Sequence, residues 1–324
     1  MEDFKYLIPE ESIDAIITNV SKLREIENEL RSIFSNNGYN EVLMPSFEYV
    51  DLYTKLDCGF ELDKMFQYIN HEGKNVAMRL DFTIPLARLY ANSNQNVAAR
   101  YCYFGKVYRK ETMHKGRSSE FFQGGVELMN KPGIEGDKEI MKMIQDALPK
   151  LSLNKVIIEL GSAKFYNRLL QLVGSEQEAL IEILRLRDIS EMKRLIKRNN
   201  FDDNLNSLLE SLPTCFGNID LLNKAIAKIQ DQVLLESLNE LKELYNSLDS
   251  NEAIIFDLGM VPSMKYYTGL MIKGYSDKSA NPIISGGRYD DLLPRFNCNA
   301  SAIGFCFHMN HILSAIESEG ESND

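Results

Sequence analysis

Arg109-Lys-Glu-Thr-Met-His-Lys-Gly-Arg117-Ser-Ser-Glu120-Phe-Phe-Gln123-Gly-Gly-Val-Glu127 is the stretch on which the fold of this chain turns. Arg109 closes a run, Arg100-Tyr-Cys-Tyr-Phe-Gly-Lys-Val-Tyr-Arg109, that is rich in aromatic and β-prone residues. Lys115-Gly116-Arg117 marks a turn, and Glu120 to Glu127 mixes polar with apolar residues as a returning strand does. Two strands joined by a basic loop present cations above a sheet, where a nucleotide or a carboxylate would sit. Side chains two residues apart lie on one face of a strand, so Gln123, Gly125 and Glu127 share a face. That face offers an amide, a gap and a carboxylate, a set suited to a small polar ligand. Taken alone, the segment is also compatible with an amphipathic hairpin whose charged face is simply solvated.

Composition sets the outer limits. The chain has 324 residues, 44% hydrophobic and 26% charged, which fits one large or two ordinary soluble globular domains. With 36 basic and 47 acidic residues the net charge is −11, a poor basis for generic nucleic-acid binding. The cysteines Cys58, Cys102, Cys215, Cys298 and Cys306 are dispersed and form no C-x-x-C pair. Neither a disulfide framework nor a metal site is expected, and no cofactor is expected either. The start, Met1-Glu-Asp-Phe-Lys-Tyr6, lacks a basic region followed by an apolar stretch, so no signal peptide is expected. No run of about 18 apolar residues occurs, so the expected location is the cytoplasm, with no membrane span.

Outward from the central hairpin, hydrophobic spacing predicts a helix over Ser12 to Asn36 and a short strand over Glu41 to Ser46. Met65 to Ile69 and Val76 to Leu80 flank a turn and read as a second hairpin. A helix is expected from Asp81-Phe-Thr83 to about Asn92, with Asp81 or Thr83 as its cap. Ile134 to Leu151 reads as a helix and Lys155 to Leu160 as a strand. Leucine and charge then dominate at helical spacing, which predicts a helical insertion over 162–251. Strand character returns at Ala253 to Leu258, Tyr266 to Tyr275 and Pro282 to Ser285. Gly286-Gly-Arg-Tyr-Asp290 reads as a glycine turn into a helix, and Ala302 to Phe307 as a last strand entering a helix that ends near Glu317. The expected architecture is α+β: a mixed, mainly antiparallel sheet flanked by helices, built from 1–161 and 252–318, with 319–324 as a polar tail.

The hairpin resembles motif 2 of the class II aminoacyl-tRNA synthetases in its histidyl form. Arg109, Glu111, Lys115, Gly116, Arg117, Phe121, Gln123, Gly125 and Glu127 fall in register without a gap. Four further segments extend the likeness over nearly the whole chain. The helix, strand and Pro45 near the start resemble motif 1, which in those enzymes builds a dimer interface. Arg79-Leu-Asp81-Phe-Thr83 resembles the Arg-Pro-Glu-Gly-Thr segment. Tyr266-Tyr267-Thr-Gly and Ser285-Gly-Gly-Arg-Tyr-Asp290 resemble the two histidyl signatures. The resemblance implies a class II synthetase-like core fold and a histidine pocket. In that pocket Asp81 and Thr83 would take the ammonium group, Arg109 and Gln123 the carboxylate, and Glu127 and Tyr267 the imidazole, an assignment that agrees with donor and acceptor chemistry.

Three departures change what the resemblance implies. Where motif 3 reads Gly-Phe-Ala-Met-Gly-Leu-Glu-Arg, this chain has Gly304-Phe-Cys-Phe-His308-Met-Asn310-His311, and histidine does not replace a forked, always-charged guanidinium. The arginine that would engage the amino-acid carboxylate is Pro262, and the acid that follows is Lys265. No anticodon-binding domain follows the motif 3 helix, so no tRNA partner is expected. A pocket kept for histidine without the means to activate it resembles the regulatory subunits of short-form ATP phosphoribosyltransferase. That likeness implies a non-catalytic homodimer within a hetero-octamer with a separate catalytic subunit, and feedback inhibition by histidine. The alternatives are a truncated or divergent histidyl-tRNA synthetase-like enzyme, and a stand-alone amino-acid sensor for another partner.

Overall fold

The computed structural model describes residues 17–56, 58–93, 97–110, 119–151, 153, 155–250 and 253–321. Glu111, Lys115, Gly116 and Arg117 of the expected hairpin loop, and positions 12–16 of the expected N-terminal helix, lie outside the described residues.

The chain opens with α1 (Ile17–Asn36), then β1 (Asn40–Glu41), β2 (Phe47–Tyr49), α2 (Val50–Thr54), β3 (Gln67–Ile69), β4 (Asn75–Met78) and α3 (Thr83–Asn92). The central hairpin is β5 (Ala99–Tyr108) and β6 (Glu120–Met129), followed by α4 (Ile134–Ala147) and β7 (Val156–Ser162). Helices α5 (Ala163–Val173), α6 (Gln177–Leu186), α7 (Ile189–Arg198) and α8 (Asp203–Ser211) come next. Then follow β8 (Phe216–Gly217), α9 (Ile219–Ile226), α10 (Gln232–Asn246) and β9 (Ile254–Asp257). The chain closes with β10 (Leu270–Ser276), β11 (Ile284–Arg288), β12 (Ala302–His308) and α11 (Met309–Glu321).

A nine-stranded sheet in the order β1-β5-β6-β12-β11-β10-β7-β9-β8 organises the molecule. Among the described residues only the β1–β5 and β7–β9 pairings are parallel, so the expected α+β architecture with a mainly antiparallel sheet is what forms. One face carries Val126, Leu128, Phe305 and Phe307 into a core shared with α1 and α4. Leu169, Leu180, Leu195, Leu209 and Leu238 of the helices between 163 and 246 belong to that same core. Several acidic residues of this region are helix caps rather than solvated charges: Asp188, Asp202 and Asp231 accept backbone N–H groups at the starts of α7, α8 and α10.

Four local expectations are corrected. The stretch Glu41 to Ser46 is not a continuous strand, because Pro45 has no N–H to donate and Arg79 takes the carbonyls of Met44 and Pro45. The second hairpin forms, but β2 joins it in a separate sheet of order β2-β4-β3. Gly286 and Gly287 lie inside β11 and turn nothing; a Cβ at Gly287 would meet the carbonyl oxygen of Leu270 at 2.8 Å, so these glycines serve close approach between neighbours. Helix α11 runs through Glu321, past the expected stop at Glu317 and into the segment expected to be a tail. Among the described residues, no helix is long and apolar enough to cross a membrane.

Candidate functional site

The other face of the sheet forms the floor of a cavity of about 120 Å³. Register explains its chemistry. Gly105, Gln123 and His308 form one row across β5, β6 and β12; Tyr103, Gly125, Cys306 and Ser285 form the next, extended onto β11. Tyr101, Glu127, Gly304 and Gly287 form the third. Glycines alternate with functional side chains because the latter need room: a Cβ on Gly304 would collide with the Glu127 carboxylate, and one on Gly125 with the Tyr103 phenol. The start of α3 supplies Asp81 and Thr83 as one wall, and the loop before β10 supplies Tyr266 and Tyr267 as another.

All six residues expected to bind histidine, Asp81, Thr83, Arg109, Gln123, Glu127 and Tyr267, line this one cavity. Of the two caps expected at α3, Thr83 is not one: its Oγ1 donates to Glu127 Oε1 at 2.6 Å, Phe82 at the cap position makes no side-chain bond, and it is the Asp81 carboxylate that takes the backbone N–H of Ile84. Glu127 also accepts the phenol of Tyr289. Burial pushes Glu127 up to about 7, against the pull of these two donors. Asp81 is likewise raised to about 7 by burial, although the Arg109 guanidinium opposes the shift. The Tyr266 hydroxyl donates to Asp81 Oδ2 at 3.4 Å, while Asp81 Oδ1 is buried with no hydrogen-bond partner among the described residues. A buried acceptor in this condition is costly unless a donor satisfies it.

Tyr267 was expected on a strand. It lies in the preceding loop, where its ring packs edge-on against Tyr266 with centroids 5.5 Å apart. Arg109 is anchored through Nε, which donates to the Leu80 carbonyl at 2.9 Å. Sequence reasoning missed Tyr289, whose signal was its place directly after Arg288 in the Ser285–Asp290 signature. It also missed Tyr103, Tyr266, Ser285 and His308 as wall residues. Arg288 itself does not reach the cavity; it pairs with Asp137 and ties the start of α4 to β11.

At the far end of the floor, the positions that depart from the synthetase pattern are occupied and bonded. His308 Nε2 lies 2.7 Å from Ser285 Oγ, His311 Nδ1 lies 2.8 Å from the Pro282 carbonyl, and Asn310 Oδ1 accepts the Phe122 amide at 2.8 Å. Among the described residues, no group of three or more His, Cys, Asp and Glu could hold a metal ion.

A family model described as Histidyl-tRNA synthetase matches residues 14–312. An ATP phosphoribosyltransferase regulatory subunit from Lactococcus lactis subsp. lactis is 45% identical, the match covering 100% of both chains. The chain belongs to the ATP phosphoribosyltransferase regulatory subunit family. Another family member, from Clostridium kluyveri, is 30% identical over 100% of this chain and 85% of its own. Among solved structures, an ATP phosphoribosyltransferase regulatory subunit/histidyl-tRNA synthetase from Bacillus halodurans matches with a TM-score of 0.88 at 27% identity, covering 97% of this chain and 84% of that one. A histidine–tRNA ligase subunit from Alicyclobacillus acidocaldarius, at 21% identity and a TM-score of 0.81, shares the fold.

Proposed function

We propose that this regulatory subunit binds free histidine in the cavity between Asp81 and His308, and thereby makes a separate catalytic subunit of ATP phosphoribosyltransferase sensitive to that amino acid. The observation that carries the reading is the juxtaposition of two halves in one site. The residues that would contact an amino acid line one end of the cavity, beside positions 308 and 311, where histidines stand at places a synthetase gives to glycine and arginine. The unpaired Asp81 oxygen matches an ammonium group, Arg109 and Gln123 match a carboxylate, and Glu127 with Tyr289 and Tyr267 frames a polar ring. A positioned arginine is worth about 10³-fold or more in phosphoryl transfer, so Pro262 and His311 in place of two arginines support a non-catalytic role. The proposed working form is a cytoplasmic homodimer assembled with the catalytic subunit into a hetero-octamer, with histidine as effector and no tRNA partner.

Calorimetry tests the binding step. Histidine should bind, and Glu127→Ala should weaken it by about 1–3 kcal/mol, since an imidazole N–H loses its acceptor. Equal binding by parent and variant would remove Glu127 from the site. Histidine-dependent pyrophosphate exchange at the rate of an intact synthetase would favour the enzyme alternative.

A further inference from the structure

The His308 end of the cavity raises a question that the loss of ATP chemistry does not answer. A bound amino acid needs donors for its carboxylate, yet Pro262 offers none where the resemblance places an arginine. His308 sits across from Gln123, four residues along β6 from Glu127. At the rise of a β-strand the two ends of the floor are therefore about 13 Å apart. The length of one amino acid, with its ring at Glu127 and its ammonium at Asp81, brings its carboxylate toward Arg109, Gln123 and Ser285, all of which line the cavity.

The Ser285 hydroxyl is held in place. His308 Nε2 approaches it at 2.7 Å, and the His308 ring is backed by the His311 ring, with centroids 5.3 Å apart. His311 is fixed in turn by donating from Nδ1 to the Pro282 carbonyl, since a carbonyl can only accept. Burial, together with the neighbouring His311 and Arg109, pushes His308 down to about 3, so its ring is neutral and has one donor nitrogen and one acceptor. With the proton on Nε2, His308 donates to Ser285 Oγ, and the serine proton is left to point into the cavity.

We propose that Ser285, oriented by His308, recognises the free carboxylate of the amino-acid ligand, and that the His308 ring closes the cavity against any group attached to that carboxylate. Ser285 is then a specificity-determining residue and His308 a positioning residue. The site takes the free amino acid and rejects its esters and acyl derivatives. This inference rests on the histidine-binding reading above.

The test is calorimetry on the full chain with histidine, histidinol and histidine methyl ester. The parent should prefer histidine to the ester. Ser285→Ala should lose at least about tenfold in histidine affinity, the size of a hydrogen bond to a charged group, and nothing for histidinol, which has no carboxylate. His308→Gln, which keeps a donor near Ser285, should retain histidine binding. His308→Gly should narrow the preference for histidine over its ester. Unchanged histidine binding by Ser285→Ala, equal losses for histidine and histidinol, or an ester still excluded by His308→Gly would overturn the inference while leaving the histidine site standing. A parent that binds no histidine would overturn the underlying reading itself.

Discussion

Glu127 concentrates the electrostatic tension of the site. It is a buried carboxyl pushed up to about 7, whereas an unfolded glutamate titrates near 4.3. Between those values the native chain keeps a proton that the unfolded chain has released. Its contribution to stability is therefore fully present below about pH 4 and is lost as the pH rises through 7. Glu127→Gln stays neutral throughout, so its stability relative to the parent should be greater at pH 8 than at pH 5, by roughly 2–3 kcal/mol. Thermal or denaturant unfolding at the two pH values measures this, and a pH-independent difference would contradict it. The residues that line the cavity were legible chiefly through the resemblance of their segments to the histidyl synthetase motifs; spacing alone said only that Gln123, Gly125 and Glu127 share one face of a strand. Tyr289 was not, because Gly286-Gly287 in front of it looks like a turn. Only the register of β11 against β10 and β12 shows that these glycines make room for neighbours.

At the scale of elements, Arg79 ties the extended segment after β1 to the strands under the site. Its guanidinium is buried, donates to the carbonyls of Met44, Pro45 and Lys106, and stacks on Phe82 at 4.1 Å. Phe82 in turn stacks on Tyr103, a wall of the cavity, with centroids 4.1 Å apart. Arg79→Met would keep much of the volume and leave three carbonyls without this donor, at a cost of about 3 kcal/mol or more. Urea unfolding checks the value, and a loss under about 1 kcal/mol would mean that water or backbone shifts replace the bonds. The central hairpin was readable because its two strands have strong β composition on either side of a polar loop. The β3–β4 hairpin was readable as well, but the addition of β2 to it was not, since a three-residue strand carries too little periodicity and its pairing is decided by tertiary contacts.

For the molecule as a whole, the exposed apolar residues are unevenly placed. Leu43 is 91% exposed, and Phe47, Tyr49 and Tyr68 are also exposed on the neighbouring small sheet. Apolar side chains grouped and exposed in this way suit an interaction surface, and the proposed two-fold dimer through the motif 1-like segment would cover them. Sedimentation should give a dimer at micromolar concentration, with Leu43→Glu shifting it toward monomer. A monomeric parent would refute the proposed assembly. The architecture of the sheet was legible in the sequence, because the strand-rich segments lie on both sides of the leucine-rich stretch. How closely the helices between 163 and 246 share the sheet's core was not, because amphipathic spacing shows which face is buried and not what it is buried against. The central claim is that one cavity reads histidine and that the reading changes the activity of another chain. If histidine prefers the low-activity state of the complex, linkage requires that it shift the population toward that state. The measurement is phosphoribosyl transfer by a reconstituted complex with a short catalytic subunit, titrated with histidine, for the parent and for Gln123→Ala. The account predicts equal stimulation by both and an inhibition curve displaced to higher histidine for the variant; superimposed inhibition curves would place the regulatory site elsewhere.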